Sequence, residues 1–153
     1  MKRRIFLTGL LLLVAATLAS AAEKPDTKPS TPAATTTNAP SVQVIAYYFH
    51  GTLRCETCQK IERQAHEVIE QRFKAELTAK RLVFKPVNYD LPENAHFLQY
   101  YKLPCPSLVL VRQKGGKDEK WKLLSETWQL VEEATKFNRY IADAVSELLP
   151  AAK

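Results

Sequence analysis

The chain has 153 residues, of which 46% are hydrophobic and 25% are charged, and its formal net charge is +6. Three basic residues precede the first apolar stretch, and without them the net charge is +3 (Lys2, Arg3 and Arg4). The other basic residues are interspersed with acidic ones and are not grouped with aromatic residues, which excludes the surface typical of nucleic-acid-binding proteins. We therefore expect no nucleic acid among the partners.

The N-terminus has the three parts of a secretory signal. A basic start is followed by the apolar stretch 5–18 and then by the small residues 19–22. We predict a signal peptide over residues 1–22, cleaved near Ala21 or Ala22, and a periplasmic or secreted protein. An uncleaved membrane anchor is the alternative, because the uncharged stretch from Ile5 to Ala22 approaches the length of about 20 residues that crosses a bilayer.

Residues 23–41 are rich in proline, threonine and alanine. They include no large apolar side chain that a core could bury, so they are predicted to be a disordered linker. As a random coil the linker would span roughly 25 Å, and with a retained signal it would tether the protein to the membrane. Residues 42–149 are sufficient for one domain with one core, followed by a tail over residues 150–153.

The first half of this domain predicts a β-α-β unit. Residues 42–49, "VQVIAYYF", form an apolar run typical of a strand buried on both faces in the middle of a sheet. Apolar residues at helical spacing predict a helix from Cys58 to Lys80. Residues 81–90 return to strand character, although Pro86 indicates a sheet edge or a bulge. We expect the two strands to be parallel and the crossover right-handed.

The second half predicts a short helix, a hairpin and a long helix. Asp90 is expected to cap the short helix, a two-glycine turn joins the hairpin strands, and the last helix is expected to break near Glu132 and Glu133. The predicted ranges are 92–101 for the short helix, 107–112 and 120–124 for the strands, and 127–149 for the last helix. The order β-α-β-α-β-β-α predicts an α/β fold with a central sheet flanked by helices.

Cys55 and Cys58 stand three residues apart where the first strand gives way to the first helix. The sulfur of Cys55 is expected near unpaired N–H groups and the positive end of the helix dipole, which favours the thiolate. Cys58 faces it across the first turn, within reach of a disulfide. Arg54 favours the thiolate, whereas Glu56 opposes it. The pair is therefore predicted to be redox-active, with Cys55 attacking and Cys58 resolving.

The same spacing also occurs in half of a zinc site and in structural disulfides. A closed four-ligand zinc site would need ligands beyond the pair, and the chain offers a third cysteine, Cys105, and three histidines. His66 and His96 are expected to be ordinary surface or core residues, whereas His50 follows the first strand and could reach the cysteines. Cys105 itself is open to three interpretations: a small buried apolar residue, a third thiol or a metal ligand.

Residues 42–149 resemble the thioredoxin superfamily in element order, in "CETC" at the start of the first helix and in "CPSLVLV" leading into the third strand. The segments "YYFHGTLRCETCQKIE", "VNYDLPENAHFLQYY" and the late "WKLL" with a following Trp are similar to exported thioredoxin-like proteins named as the F subunit of nitrophenyl-compound nitroreductases. The resemblance implies a central mixed sheet, Cys55 as nucleophile, Cys58 as resolving thiol and Pro106 as a cis-proline whose neighbouring backbone binds a substrate peptide. It also places Cys105 beside Cys55.

The chain departs from thioredoxins proper, which have Gly-Pro between the cysteines and a Trp before them. Here Glu56 and Thr57 separate the cysteines and Arg54 precedes them. Thioredoxins also carry a buried acid in the preceding strand, where this chain has only Tyr47, Tyr48 and Phe49. These differences set the chain apart from a general reductase.

The function expected from the sequence is that of an extracytoplasmic thiol-disulfide oxidoreductase. We expect a monomer without a cofactor that exchanges electrons with client protein thiols or with a membrane electron donor or acceptor. One alternative is a module that binds Cu(I) or As(III) through Cys55, Cys58 and Cys105, with His50 as a further ligand, because thiolates select soft ions. A second is an electron-transfer subunit of a nitroreductase system, and a third is a noncatalytic domain with a structural disulfide.

Overall fold

A computed structural model describes residues 42–150 of the chain. The predicted signal peptide and linker, and residues 151–153 of the predicted tail, lie outside the described residues. Within residues 42–150, every helix falls short of the length and apolar character needed to span a bilayer.

Four strands form one mixed sheet in the order β2-β1-β3-β4. They are β1 (Val42–His50), β2 (Leu82–Asn88), β3 (Ser107–Lys114) and β4 (Lys117–Leu123). β1 is parallel to β2 and antiparallel to β3, and β3 is antiparallel to β4. The predicted central position of β1 and the predicted parallel pair are therefore confirmed. Pro86 lies on β2, an edge strand, as its missing N–H predicts.

β1 is apolar without interruption because both faces of the sheet are covered. Its side chains alternate between two buried clusters, with Val44, Ala46 and Tyr48 in one and Ile45, Tyr47 and Phe49 in the other. We call the first cluster the helix face and the second the aromatic face. The alternation places neighbouring tyrosines on opposite sides of the sheet.

Within residues 42–150, five helices accompany the sheet: α1 (Glu56–Arg72), α2 (Lys74–Thr78), α3 (His96–Tyr100), α4 (Thr127–Leu130) and α5 (Ala134–Leu148). α1 and α5 pack together and bury apolar side chains in the helix face, among them Ile61, Ile69, Phe137 and Ile141. The aromatic face is covered by Phe97 of α3 together with Tyr101 and Leu103, which follow this helix.

The predicted helix from Cys58 to Lys80 is divided in two. At Phe73 the backbone leaves helical geometry (φ −125°, ψ 32°) while the side chain stays buried in the helix face. The predicted break in the last helix is confirmed, since residues 131–133 separate α4 from α5.

The predicted cap of the short helix by Asp90 is wrong. The helix begins at His96, after Ala95, and no side chain caps it. The carboxylate of Asp90 instead accepts a hydrogen bond from the backbone N–H of Thr52 at 2.7 Å. Asp90 therefore binds Thr52, which is distant in sequence, and not the start of the helix that follows it.

The turn between β3 and β4 forms where the sequence predicts it. Gly115 and Gly116 both have positive φ angles, +57° and +76°, a conformation that glycine adopts without steric cost. β4 begins at Lys117, three residues earlier than expected. Together, the element order, the strand order and the strand directions confirm the predicted α/β fold with a central mixed sheet flanked by helices.

Candidate redox site

The loop between β1 and α1 is fixed to the end of β2. Besides the bond from Thr52 to Asp90, the side-chain amide of Asn88 donates to the hydroxyl of Thr52 at 3.0 Å. Gly51 is buried, and a Cβ atom there would lie 3.1 Å from a carboxylate oxygen of Asp90. These contacts set where the chain enters α1 and thus where Cys55 lies.

Cys55 and Cys58 form a disulfide at the N-terminus of α1, with their Cα atoms 5.1 Å apart. Cys55 is the residue that caps the helix, and its sulfur accepts a hydrogen bond from the backbone N–H of Cys58 at 3.1 Å. In the reduced protein a donor at this place stabilises the Cys55 thiolate, as does the helix dipole. The predicted proximity of the two cysteines is confirmed.

The two sulfurs differ in access. Cys55 is exposed, whereas only 5% of Cys58 is accessible to solvent. An external thiol or disulfide can therefore reach the outer cysteine, while the inner one is positioned to react within the protein. This asymmetry suits an attacking thiol and a resolving thiol.

Tyr48 supports the inner cysteine from the helix face. Its buried hydroxyl donates a hydrogen bond to the carbonyl oxygen of Cys58 at 2.6 Å. Burial raises the pKa of Tyr48 to about 12, with Cys105 and Tyr89 adding to the rise and Arg54 opposing it. The hydroxyl therefore keeps its proton at neutral pH. From the sequence, Tyr48 was noted only because it stands where thioredoxins carry an acid. The alternation of side chains along β1 could have shown that Tyr48 faces α1.

Arg54, directly before the pair, forms an ion pair with Glu62 of α1. Both side chains are mostly buried. The positive charge that was expected to favour the Cys55 thiolate is therefore partly compensated within the protein. Glu56, the residue expected to oppose the thiolate, is exposed, where solvent screens its charge.

Cys105 is an exposed free cysteine in the loop before β3. The interpretation as a small buried residue is therefore wrong. Because Phe49 is paired with Ser107, this loop lies at the sheet end where β1 leads into the cysteine loop. Burial raises the pKa of Tyr48 and of Tyr89, and the charge of Cys105 adds to both rises.

Pro106 does not follow a cis peptide bond, since none occurs among residues 42–150. The predicted cis-proline is wrong, and the trans form is the isomer that X-Pro bonds intrinsically favour. Neighbouring side chains hold the loop in this form. The indole N–H of Trp128 donates to the carbonyl of Pro106 at 2.8 Å, and the hydroxyl of Ser107 donates to the carbonyl of Cys105 at 2.7 Å.

The ligand set considered for Cu(I) or As(III) is not assembled. Among the described residues, no three His, Cys, Asp or Glu side chains are grouped so that they could hold a metal ion. Cys55 and Cys58 are bonded to each other, and Nδ1 of His50 lies 2.9 Å from the carbonyl oxygen of Gly51. The other histidines pack against aromatic rings, His66 against Phe84 and His96 against Phe97.

No protein-family model and no curated protein sequence matches the chain. The solved structures that are similar to it include three that each have a TM-score of 0.37. A thioredoxin from Thermus thermophilus is 22% identical over 65% of this chain and 74% of its own. Trxlp from Edwardsiella tarda EIB202 is 17% identical over 63% of this chain and 85% of its own. A malarial protein is 17% identical over 61% of this chain and 94% of its own. The resemblance to nitroreductase F subunits stays a prediction.

Proposed function

We propose that this protein is an extracytoplasmic thiol-disulfide oxidoreductase that cycles between the Cys55–Cys58 disulfide and the dithiol. The observation that carries the proposal is the asymmetry of the pair at the start of α1. Cys55 is exposed and its sulfur accepts the N–H of Cys58, whereas Cys58 is buried. A purely structural disulfide requires neither an accessible sulfur nor a thiolate-stabilising donor.

The chemistry balances with the two cysteines and a client disulfide alone. The Cys55 thiolate attacks one client sulfur, forms a mixed disulfide and releases one client thiolate. The Cys58 thiol then attacks the Cys55 sulfur, releases the second client thiolate and passes its proton to one of the released thiolates. The protein loses two electrons and the client gains two, and the reverse sequence oxidises a client dithiol.

The surface around Cys55 supports a protein client. Leu53, two residues before Cys55, is 93% exposed and could contact an apolar client side chain. The loop of Cys105 and Pro106 lies at the same end of the sheet, and Cys105 is exposed there. We propose these residues as the client contact surface, with a membrane donor or acceptor restoring the redox state of the pair.

The extracytoplasmic location rests on the N-terminal sequence. A basic start, an apolar stretch and small residues at 19–22 are the features of a secretory signal, and oxidising compartments are where protein disulfides persist. An electron-transfer subunit of a nitroreductase would use the same dithiol, with the nitro group reduced by a partner. No observation at the site favours that role over exchange with protein thiols.

Substitution of each cysteine tests the proposal. We expect Cys55→Ser to abolish the reduction of insulin disulfides, because the exposed nucleophile is lost. Cys58→Ser should attack but not resolve, and it should therefore accumulate mixed disulfides that separate from the protein on addition of dithiothreitol. Full activity of Cys55→Ser in both insulin reduction and oxidation of a reduced peptide would disprove the proposed function.

A further inference from the structure

The backbone of Cys58 makes two hydrogen bonds that link the strand β1 to the outer sulfur. Its N–H donates to Sγ of Cys55 at 3.1 Å, and its carbonyl accepts from the hydroxyl of Tyr48 at 2.6 Å. Tyr48 is fully buried in the centre of the sheet. The carbonyl of the inner cysteine is thus bonded to β1, an interior strand of the sheet, and its N–H is bonded to the outer sulfur.

The carbonyl of Cys58 does not need this hydroxyl to be satisfied. It lies in the first turn of α1, where a helical carbonyl accepts the N–H four residues further on. The tyrosine hydroxyl therefore occupies the second acceptor position of an oxygen that already has a partner. What the added bond supplies is a fixed position for the first turn of α1 relative to the sheet.

From these contacts we propose that Tyr48 is a positioning residue for the resolving step, which holds Cys58 where its sulfur meets Cys55. The inference rests on the proposed exchange reaction and adds a residue to it. Fixing Cys58 before the bond forms raises its effective concentration toward the Cys55 sulfur, because less conformational freedom is lost on closure. Tyr48 contributes no proton: burial raises its pKa to about 12, so it remains a donor.

The alternative is that Tyr48 is an ordinary core tyrosine whose hydroxyl merely needs a partner. Loss of the hydroxyl would then change the stability of the protein but not the competition between the two disulfide forms of Cys55. The test therefore measures that competition. In a glutathione series, the ratio of the closed Cys55–Cys58 disulfide to the Cys55–glutathione mixed disulfide gives the effective concentration of Cys58.

We expect Tyr48→Phe to lower this effective concentration by about fivefold, the effect of one net hydrogen bond. The mixed disulfide then accumulates, and the midpoint potential becomes about 20 mV less negative. Acid quenching followed by mass spectrometry of the intact complete chain measures both species. Cys105→Ser is introduced into every protein compared, so that only the pair can form a mixed disulfide.

Tyr47→Phe is the matched control. It removes the same atom from the neighbouring residue, whose side chain lies on the aromatic face, away from α1. It should leave the ratio of the two disulfide species unchanged. An equal ratio in Tyr48→Phe and wild type, or an equal shift in both variants, overturns the inference while the exchange reaction itself stands. Failure of the wild-type pair to exchange with glutathione overturns the proposed function and this inference together.

A second measurement addresses the bond itself. The sequence has three cysteines, so labelling with carbonyl-¹³C cysteine gives three backbone carbonyl signals in an NMR spectrum. Cys58→Ser, which loses one of them, assigns the signal of Cys58. We expect that signal to move in Tyr48→Phe and to stay in place in Tyr47→Phe. An unmoved signal in Tyr48→Phe means that the hydroxyl does not bind this carbonyl, and the inference is then wrong.

Discussion

The two faces of the central sheet are covered in different ways. The helix face lies under α1 and α5, which have 17 and 15 residues, whereas the aromatic face lies under α3, which has five. The Cys55–Cys58 disulfide lies at the start of α1, the longer of the two helices on the helix face. Its geometry therefore depends mainly on α1, β1 and the end of β2, and we expect the exchange reaction to tolerate changes on the aromatic face.

Ring packing compensates for the short cover of the aromatic face. The ring centroid of Phe49 lies 5.2 Å from that of Phe97 and 5.4 Å from that of Tyr101. Such pairs contribute beyond the area that they bury. Trp121 packs against Tyr101 at the margin of this face and is still 37% exposed. We therefore expect substitutions on the helix face to lower the stability strongly. Substitutions on the aromatic face should lower it less and leave the redox reaction unchanged.

The largest effect is expected from a cavity under α1. Ile61 is fully buried one turn after Cys58, and Ile61→Ala should lower the free energy of unfolding by about 2–5 kcal/mol. Urea unfolding measures the loss. Leu98→Ala in α3, a residue that is 37% exposed, is the control, and it should cost less than about 1 kcal/mol. Equal losses would contradict the difference in burial between Ile61 and Leu98.

A smaller effect is expected from a hydrogen bond on the aromatic face. The hydroxyl of Tyr101 donates to a carboxylate oxygen of Asp118 at 2.9 Å. Tyr101→Phe should lower the free energy of unfolding by about 1.5 kcal/mol, typical of a bond to a charged group. The rate at which dithiothreitol reduces the Cys55–Cys58 disulfide should not change. Tyr100→Phe, an exposed neighbour, is the control, and a changed reduction rate in Tyr101→Phe would contradict the separation of the two faces.

The smallest effect is expected where α5 is tied to β4. Hydrogen bonds from Lys122 and Lys120 lower the pKa of Glu147 to about 2. Because the pKa is depressed in the folded state, the stabilisation is complete above the ordinary pKa of about 4.5 and is lost as the pH falls toward 2. The stability difference between wild type and Glu147→Gln should disappear over that window.

Salt provides the control for this last prediction. The three side chains are on the surface, so about 1 M salt should screen their attraction and move the pKa of Glu147 upward. A side-chain NMR titration of Glu147 measures the midpoint at both ionic strengths. A midpoint that salt does not change would show that the pairing of α5 with β4 is not electrostatic.

The sequence predicted the elements whose patterns come from burial. The uninterrupted apolar run of β1 and the helical spacing after Cys58 both reflect surfaces covered by other elements, so they are visible without coordinates. The division at Phe73 was not predictable, because an apolar residue at helical spacing fits a continuous helix. The predicted helix cap by Asp90 was wrong because its carboxylate accepts the backbone N–H of Thr52, which is distant in sequence.

At the site, the cysteine pair was predictable and its support was not. The spacing of Cys55 and Cys58 after a strand indicates a redox motif directly. Strand alternation could have placed Tyr48 on the side that α1 covers, but not its bond to the carbonyl of Cys58, because every residue carries a backbone carbonyl. The cis bond before Pro106 was wrongly predicted because it came from the resemblance alone, whereas the trans form is the isomer that X-Pro bonds intrinsically favour.

The exposure of Cys105 has a practical consequence. The chain has three cysteines, and two of them are joined in the disulfide, so the oxidised protein carries one thiol that a maleimide dye can modify. That attachment point lies in the loop at the sheet end where the cysteine loop starts. A fluorophore there would report the arrival of a client without any engineered cysteine. The unfolded chain would bind one dye if the disulfide is intact and three if two electrons have reduced it, so the dye count would give the redox state.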